Sequence, residues 1–337
     1  MRFLMPGHVL STYLFSPFPS DFFQVLPHPE QTVAFAEASR LLAVGRQPTF
    51  RDRSYPGRKT QEWYPCAVPV HGENPNFARI LRVSQIPIEH TTHTLQVNGI
   101  DLYYEKLGNG EPLLLLHGGG GSHADWVHAG RDEFSREYSL ITPDARGHGR
   151  STNPVKMITH RQCALDTLAL LDHLGISKCK AIGLSMGGNI LLHMATLQPD
   201  RLQSMVVISS TMYFPEQARA IMRQVPVENQ TPAEWESMKK RHHHGDEQVY
   251  AIWQWLRGMA DSYDDMNFTP PLLSKVTAST LIVYGDRDFL YPIEMAIDMY
   301  RAIPKSSLWV VPNGNHGPIF LEQAPPFIKA ALAFLRT

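Results

Sequence analysis

Cysteine is scarce in this chain: three residues, Cys66, Cys163 and Cys179, in 337. An odd count with no short repeated spacing excludes a disulfide framework and a cysteine zinc site. It favours a reducing compartment, so a cytoplasmic location is expected, with secretion as the alternative. Net charge is nearly absent as well, with 31 basic against 32 acidic side chains. That balance leaves no electrostatic footprint for a nucleic-acid partner. One stretch, 46–59, sets Arg46, Arg51, Arg53, Arg58 and Lys59 against Asp52 alone, and is read as a solvated basic loop. No apolar run approaches the roughly 20 residues of a membrane span. The opening MRFLMPGHVLSTYLF is interrupted by Pro6, Gly7 and His8, and reads poorly as a secretory leader. Internal repeats are also lacking.

Regular structure is thin in the first 88 residues, which hold eleven of the 26 prolines. Proline at that density interrupts helices and sheet ladders. One helix is plausible over 30–44, where Val33, Phe35, Ala38, Leu41 and Leu42 are spaced for one face and Gly45 supplies a stop. Residues 1–88 are therefore expected to form an irregular extension, and they carry no functional motif.

From residue 91 the pattern becomes regular. HTLQVNGIDLYYEKLG reads as two strands joined at Asn98-Gly99, a strong hairpin signal. PLLLLHGGGG is a buried strand entering a glycine loop, and YSLITPDARGHGRS a strand and a polar turn. KCKAIGLS, LQSMVVISS, STLIVYGD and SSLWVVPNG are further strands, with helical spacing in the segments between and after them. This alternation predicts a mostly parallel eight-stranded sheet with helices on both faces and an antiparallel opening hairpin. It breaks once, between Ser210 and Thr280, where TPAEWESMKKRHHHG and DEQVYAIWQWLRGM read as helices. A structureless loop that long is improbable. A helical cap inserted at about 211–275, over the ligand-binding edge of the sheet, is expected.

AIGLSMGG, residues 181–188, asks why a hydroxyl should stand where bulk has been stripped away. A strand ends at Leu184 and a helix begins at Met186, so only a sharp turn can join them. Small residues at 183 and 187 let strand and helix pass closely, and Ser185 is pushed to the apex. The helix N-terminus beside it offers unpaired N–H groups and a positive dipole end. This is the G-x-S-x-G pattern of a nucleophile elbow. A serine needs a base, and the base an orienting acid. His316 in VVPNGNHGP follows the last strand, and Asp286 and Asp288 in YGDRDFLYP follow the one before it. An oxyanion would be met by the N–H of Met186 and, from the HGGGG loop, by that of Gly119, with Gly118 and Gly120 as neighbours.

Together, LLLLHGGGG, DARGHGRS, GLSMGG, YGDRDFLYP and NGNHGP make residues 91–337 resemble the α/β-hydrolase superfamily, in its capped, serine-esterase-like branch. The resemblance implies a triad of Ser185, Asp288 and His316, its G-x-x-D habit selecting Asp288 over Asp286. It also implies that Asp144, Arg146 and His148 form a mainly structural turn. The strand that carries the acid in some relatives leads here into ISSTMYF, which offers no carboxylate.

Other residues compete for roles. His117 and His148 are read as packed loop residues, whereas His123 is a candidate substrate contact along with Gly118, Gly120, Tyr213 and Trp253. Tyr250, Trp253 and Trp255 could pack the cap or wall the substrate. Met205, Met212 and Met222 read as core. His242, His243 and His244 are taken as an exposed helix end, since two metal ligands on one helix face need i, i+4 spacing.

The expected function is hydrolysis of a small-molecule carboxylic ester through an acyl-enzyme, with no metal or organic cofactor. The alternatives are cleavage of a carbon–carbon bond in ring-fission dienes, lactonase, thioesterase or perhydrolase chemistry, and a small-molecule receptor on the same fold. A serine at the elbow argues against dehalogenase and epoxide-hydrolase chemistry, which in this superfamily use an aspartate there.

Overall fold

Eight runs of strand-forming residues build one sheet in a computed structural model that describes residues 89–337. The strands are β1 (His90–Val97), β2 (Ile100–Leu107), β3 (Glu111–Leu116), β4 (Tyr138–Pro143), β5 (Cys179–Leu184), β6 (Leu202–Ile208), β7 (Ser279–Gly285) and β8 (Ser306–Val311). Their order is β1-β2-β4-β3-β5-β6-β7-β8. The β1–β2 and β2–β4 pairs are antiparallel and all others parallel. The expected irregular extension over 1–88, its helix at 30–44 and the basic stretch at 46–59 lie outside the described residues.

The hairpin turns at Asn98 and Gly99, with φ of 46° and 77°. Two successive positive φ values are what the tightest hairpin turn demands. In the parallel strands, neighbouring residues enter opposite layers. Leu113 and Leu115 of β3 belong to the same core layer as Trp126, Phe134, Phe327 and Ala331, while Leu114 and Leu116 belong to the opposite layer with Leu168, Ile190 and Met299. A sheet covered on both faces explains why these strands are almost uniformly apolar. The first layer is supplied by α1 (Arg131–Phe134) and α9 (Ala324–Leu335), the second by α2 (His160–His173), α3 (Met186–Leu197) and α8 (Ile293–Ala302).

Between β6 and β7 lie α4 (Glu216–Met222), α5 (Pro232–Arg241), α6 (Gly245–Gly258) and α7 (Pro270–Leu273). The start of α5 is fixed by a capping box: Thr231 Oγ1 accepts from Glu234 N–H, and the Glu234 carboxylate accepts from Thr231 N–H. Val249, Ile252, Trp253 and Leu256 of α6 join Val225, Val227 and Met238 in a small core of their own. The run 231–245 is shorter as a helix than its sequence predicts. α5 stops at Arg241, and His242 is extended at φ −115°, ψ 121°.

No helix among the described residues is long and apolar enough to cross a membrane. Cys163 and Cys179 are buried free thiols.

Candidate active site

The elbow owes its shape to missing side chains. A Cβ on Gly183 would stand 2.5 Å from the backbone of Gly187, and one on Gly187 only 2.1 Å from Leu116 O. Strand β5 and helix α3 thus pass at backbone contact, beside the end of β3. Ser185 takes the strain, with φ 50° and ψ −110°. Such a left-handed φ is costly for any residue with a Cβ and persists only where surroundings enforce it. Here Ser185 N–H donates to Ile208 O at 2.7 Å, tying the apex to the end of β6.

Three side chains converge on this apex. His316 Nε2 lies 3.0 Å from Ser185 Oγ. Its Nδ1 lies 2.9 Å from Asp288 Oδ2 and 3.1 Å from Oδ1. An ionised carboxylate can only accept, so Nδ1 carries the proton and Nε2 presents a lone pair to the serine hydroxyl. The loop holding His316 is fixed by Gly317 N–H, which donates to Ser209 Oγ at 3.0 Å. Asp288 is buried, and burial alone would raise its pKa. The pull of His316, their hydrogen bond and the N–H groups of Tyr291 and Leu290 outweigh that and hold it below the ordinary range. Asp286 is exposed, two residues short of this contact.

The HGGGG loop folds as a tight turn closed by Gly121 N–H to Gly118 O at 3.0 Å, with Gly120 at φ 73°. A left-handed third residue is what a type II turn requires. A Cβ on Gly118 would stand 3.7 Å from Leu184, the residue before Ser185. The N–H of Gly120 is already committed to His148 Nε2 at 3.1 Å. No acceptor among the described residues takes Gly119 N–H, and Met186 N–H is one of the orphans at the start of α3.

Several sequence-based assignments require correction. His123 is not open to a substrate: its Nδ1 lies 2.8 Å from Asp144 and its Nε2 3.2 Å from Glu105. Burial would lower its pKa, but bonds to these two carboxylates raise it to about 9. Trp253 is sealed within the small core of the insertion, 1% exposed. It is Trp255, with Leu256, that lies over the glycine loop, 3.2 and 3.3 Å from where a Cβ on Gly119 would stand. The signal was available: residues 249, 252, 253 and 256 form a helical stripe that includes Trp253 and omits Trp255. Tyr213 is exposed, its backbone bridged to Asn267, and makes none of the contacts above. Tyr250 is exposed too. Of the three consecutive histidines, His243 and His244 are exposed, but His242 is buried.

His117 and His148 are buried, with both ring nitrogens on backbone partners. Asp144 accepts from His123 and Arg150 N–H, and Arg146 pairs bidentately with Asp166, so this turn is a buried polar scaffold.

A profile of the alpha/beta hydrolase fold matches residues 111–276. The chain is similar to the serine hydrolase BPHL of Homo sapiens, 25% identical over 257 residues, or 73% of this chain and 87% of that protein. It is 24% identical to the 2-hydroxy-6-oxo-6-phenylhexa-2,4-dienoate hydrolase of Comamonas testosteroni over 70% of this chain and 91% of that one. A thermophilic esterase from Thermogutta terrifontis, solved with malate bound, superposes with a TM-score of 0.59. That match has 27% identity and covers 74% of this chain and 98% of the other. Fold, sheet order and these relatives all point to one family of hydrolases. This chain belongs to the α/β-hydrolase superfamily.

Proposed function

We propose that the chain hydrolyses carboxylic esters of small molecules with Ser185 as nucleophile, His316 as base and Asp288 as orienting acid. The observation that carries this reading is the unbroken path Ser185 Oγ–His316–Asp288, at 3.0 and 2.9 Å, hung on a left-handed serine. His316 Nε2 takes the hydroxyl proton as Oγ attacks the carbonyl carbon. The oxyanion is received by the N–H groups of Gly119 and Met186. On collapse, the C–O bond breaks and His316 returns the proton to the departing alcohol. Water then attacks the acyl-enzyme with His316 again as base, releasing the acid and restoring Ser185. No step draws on a metal or organic cofactor. In this reading the insertion at about 211–275 serves as the cap, and Trp255 and Leu256 give it an apolar wall above the reacting carbonyl. The buried free thiols Cys163 and Cys179 fit a cytoplasmic location.

A second reading is supported by the Comamonas testosteroni relative: the same three residues would cleave a carbon–carbon bond of a ring-fission diene. A panel of p-nitrophenyl acetate, butyrate and octanoate, one lactone and one such diene separates the two. Ester turnover above that of the diene, lost by about a million-fold in Ser185→Ala, is expected. A folded Ser185→Ala with near wild-type ester turnover overturns the assignment. Diene turnover above ester turnover selects the second reading. A wild-type protein barely above background on every substrate points to a receptor.

A further inference from the structure

Both peptide groups that follow Gly119 are held by histidines. Gly120 N–H donates to His148 Nε2 at 3.1 Å, and His148 Nδ1 lies 3.0 Å from Arg146 O. Gly120 O receives His242 Nε2 at 3.1 Å and Arg241 Nη1 at 3.2 Å. His242 Nδ1 accepts from Gly149 N–H at 2.8 Å. These partners leave no choice of tautomer. His148 must carry its proton on Nδ1 and His242 on Nε2, so each ring is neutral, with one donor and one acceptor in use.

The two rings reach the loop from different parts of the chain. His148 belongs to the polar turn after β4, a fixed part of the sheet's edge. His242 comes from the end of α5, in the helical insertion, 122 residues along from Gly120. It is buried and meets His148 edge to face, with ring centroids 5.8 Å apart. The loop is rich in glycine and would otherwise have wide conformational freedom. A donor aimed at a transition state is useful only if its direction is fixed beforehand.

We propose that His242 is a positioning residue: its Nε2–H clamps Gly120 O and so aims the neighbouring Gly119 N–H at the oxyanion, coupling the seating of the helical insertion to turnover. Only the link to turnover rests on the esterase reading; the clamp stands on the hydrogen bonds. His242 touches no reacting atom; it also accepts from Gly149 N–H, so the test must separate that bond from the one to Gly120 O.

Asparagine and glutamine divide the two bonds. In His242→Asn the short amide stands where Nδ1 stood and still accepts from Gly149, but does not reach Gly120 O. In His242→Gln the longer amide reaches it. In the full chain, His242→Asn is expected to lower kcat for p-nitrophenyl butyrate by about 10- to 100-fold with KM within about twofold. Affinity for a trifluoromethyl ketone, whose adduct with Ser185 carries the oxyanion, falls by the same factor. His242→Gln recovers most of both, and His243→Leu, one residue on and exposed, changes neither. Melting temperatures within a few degrees of wild type keep the comparison fair, and amide hydrogen exchange over 118–121 reports the clamp directly, with faster exchange expected in His242→Asn. Wild-type kcat in His242→Asn, or a loss confined to KM, overturns the coupling to turnover. Unchanged exchange overturns the clamp. A wild-type protein that turns over no ester overturns the esterase reading instead, and exchange still decides whether His242 holds the loop. If His242→Asn does not fold, exchange in His242→Gln decides, with wild-type protection at 118–121 expected and its loss overturning the clamp.

Discussion

Asp288 meets His316 with both oxygens while the backbone pins one of them: Oδ2 and Oδ1 lie 2.9 and 3.1 Å from Nδ1, and Oδ1 also accepts from Leu290 and Tyr291 N–H at 2.9 and 3.0 Å. A carboxylate fixed in this way can neither rotate nor lend itself to another base. Asp288→Asn is therefore expected to lower kcat by about 10⁴-fold, because an amide NH₂ facing Nδ1 favours the opposite tautomer. Asp286→Asn, at the exposed neighbouring acid, leaves kcat within about twofold. Ester hydrolysis by the two purified variants is the measurement, and equal losses would show that the carboxylate acts through charge rather than orientation.

The glycines divide by what surrounds them. A methyl group on Gly187 would sit 2.1 Å from Leu116 O and 2.6 Å from its carbonyl carbon, strand backbone that has little freedom to yield. Gly187→Ala is expected to cost about 3 kcal/mol or more, or to leave the protein insoluble. Gly258 has open space around the same point and φ of −66°. There alanine removes freedom from the unfolded chain alone, and Gly258→Ala should raise stability by about 0.4–1 kcal/mol. Urea denaturation of both variants checks the pair.

Stability should peak near pH 6.5, for opposing reasons. His123, between Asp144 and Glu105, has its pKa raised from 6.5 to about 9. Its contribution is complete below 6.5 and lost as pH rises through about 9. Burial drives His148 and His193 the other way, down to about 3 and 4. Their contribution is complete above 6.5 and lost as pH falls towards those values. Glu105, held at about 2 despite its burial by bonds to His123, Tyr103 and His90, adds to the acid loss below 4.5. His123→Gln is expected to flatten the alkaline limb between pH 6.5 and 9. Melting temperature against pH tests this, and an unchanged alkaline limb would remove His123 as its origin.

The strands and the elbow were legible because their causes are local. Apolar runs of four to six residues, a glycine pair around a serine and Asn98-Gly99 each constrain their own neighbourhood. Loops after β7 and β8 carry Asp288 and His316 to one sheet edge for the same reason: strand direction fixes where each loop emerges. The choice between Asp286 and Asp288 was not local. It turns on which side chain meets His316 28 residues later. His242 was misread because three histidines in a polar run look like a solvated helix end, and nothing nearby reports that Gly120 and Gly149 are waiting. His123 was misread likewise, since its carboxylates come from β2 and the turn after β4.

For anyone reshaping the pocket by saturation mutagenesis, the elbow sets a map of forbidden and permitted ground. Positions 183 and 187 have no spare volume even for a methyl group, so libraries there will return only parental clones. Trp255, half-buried above the glycine loop, is where altered selectivity should first be sought.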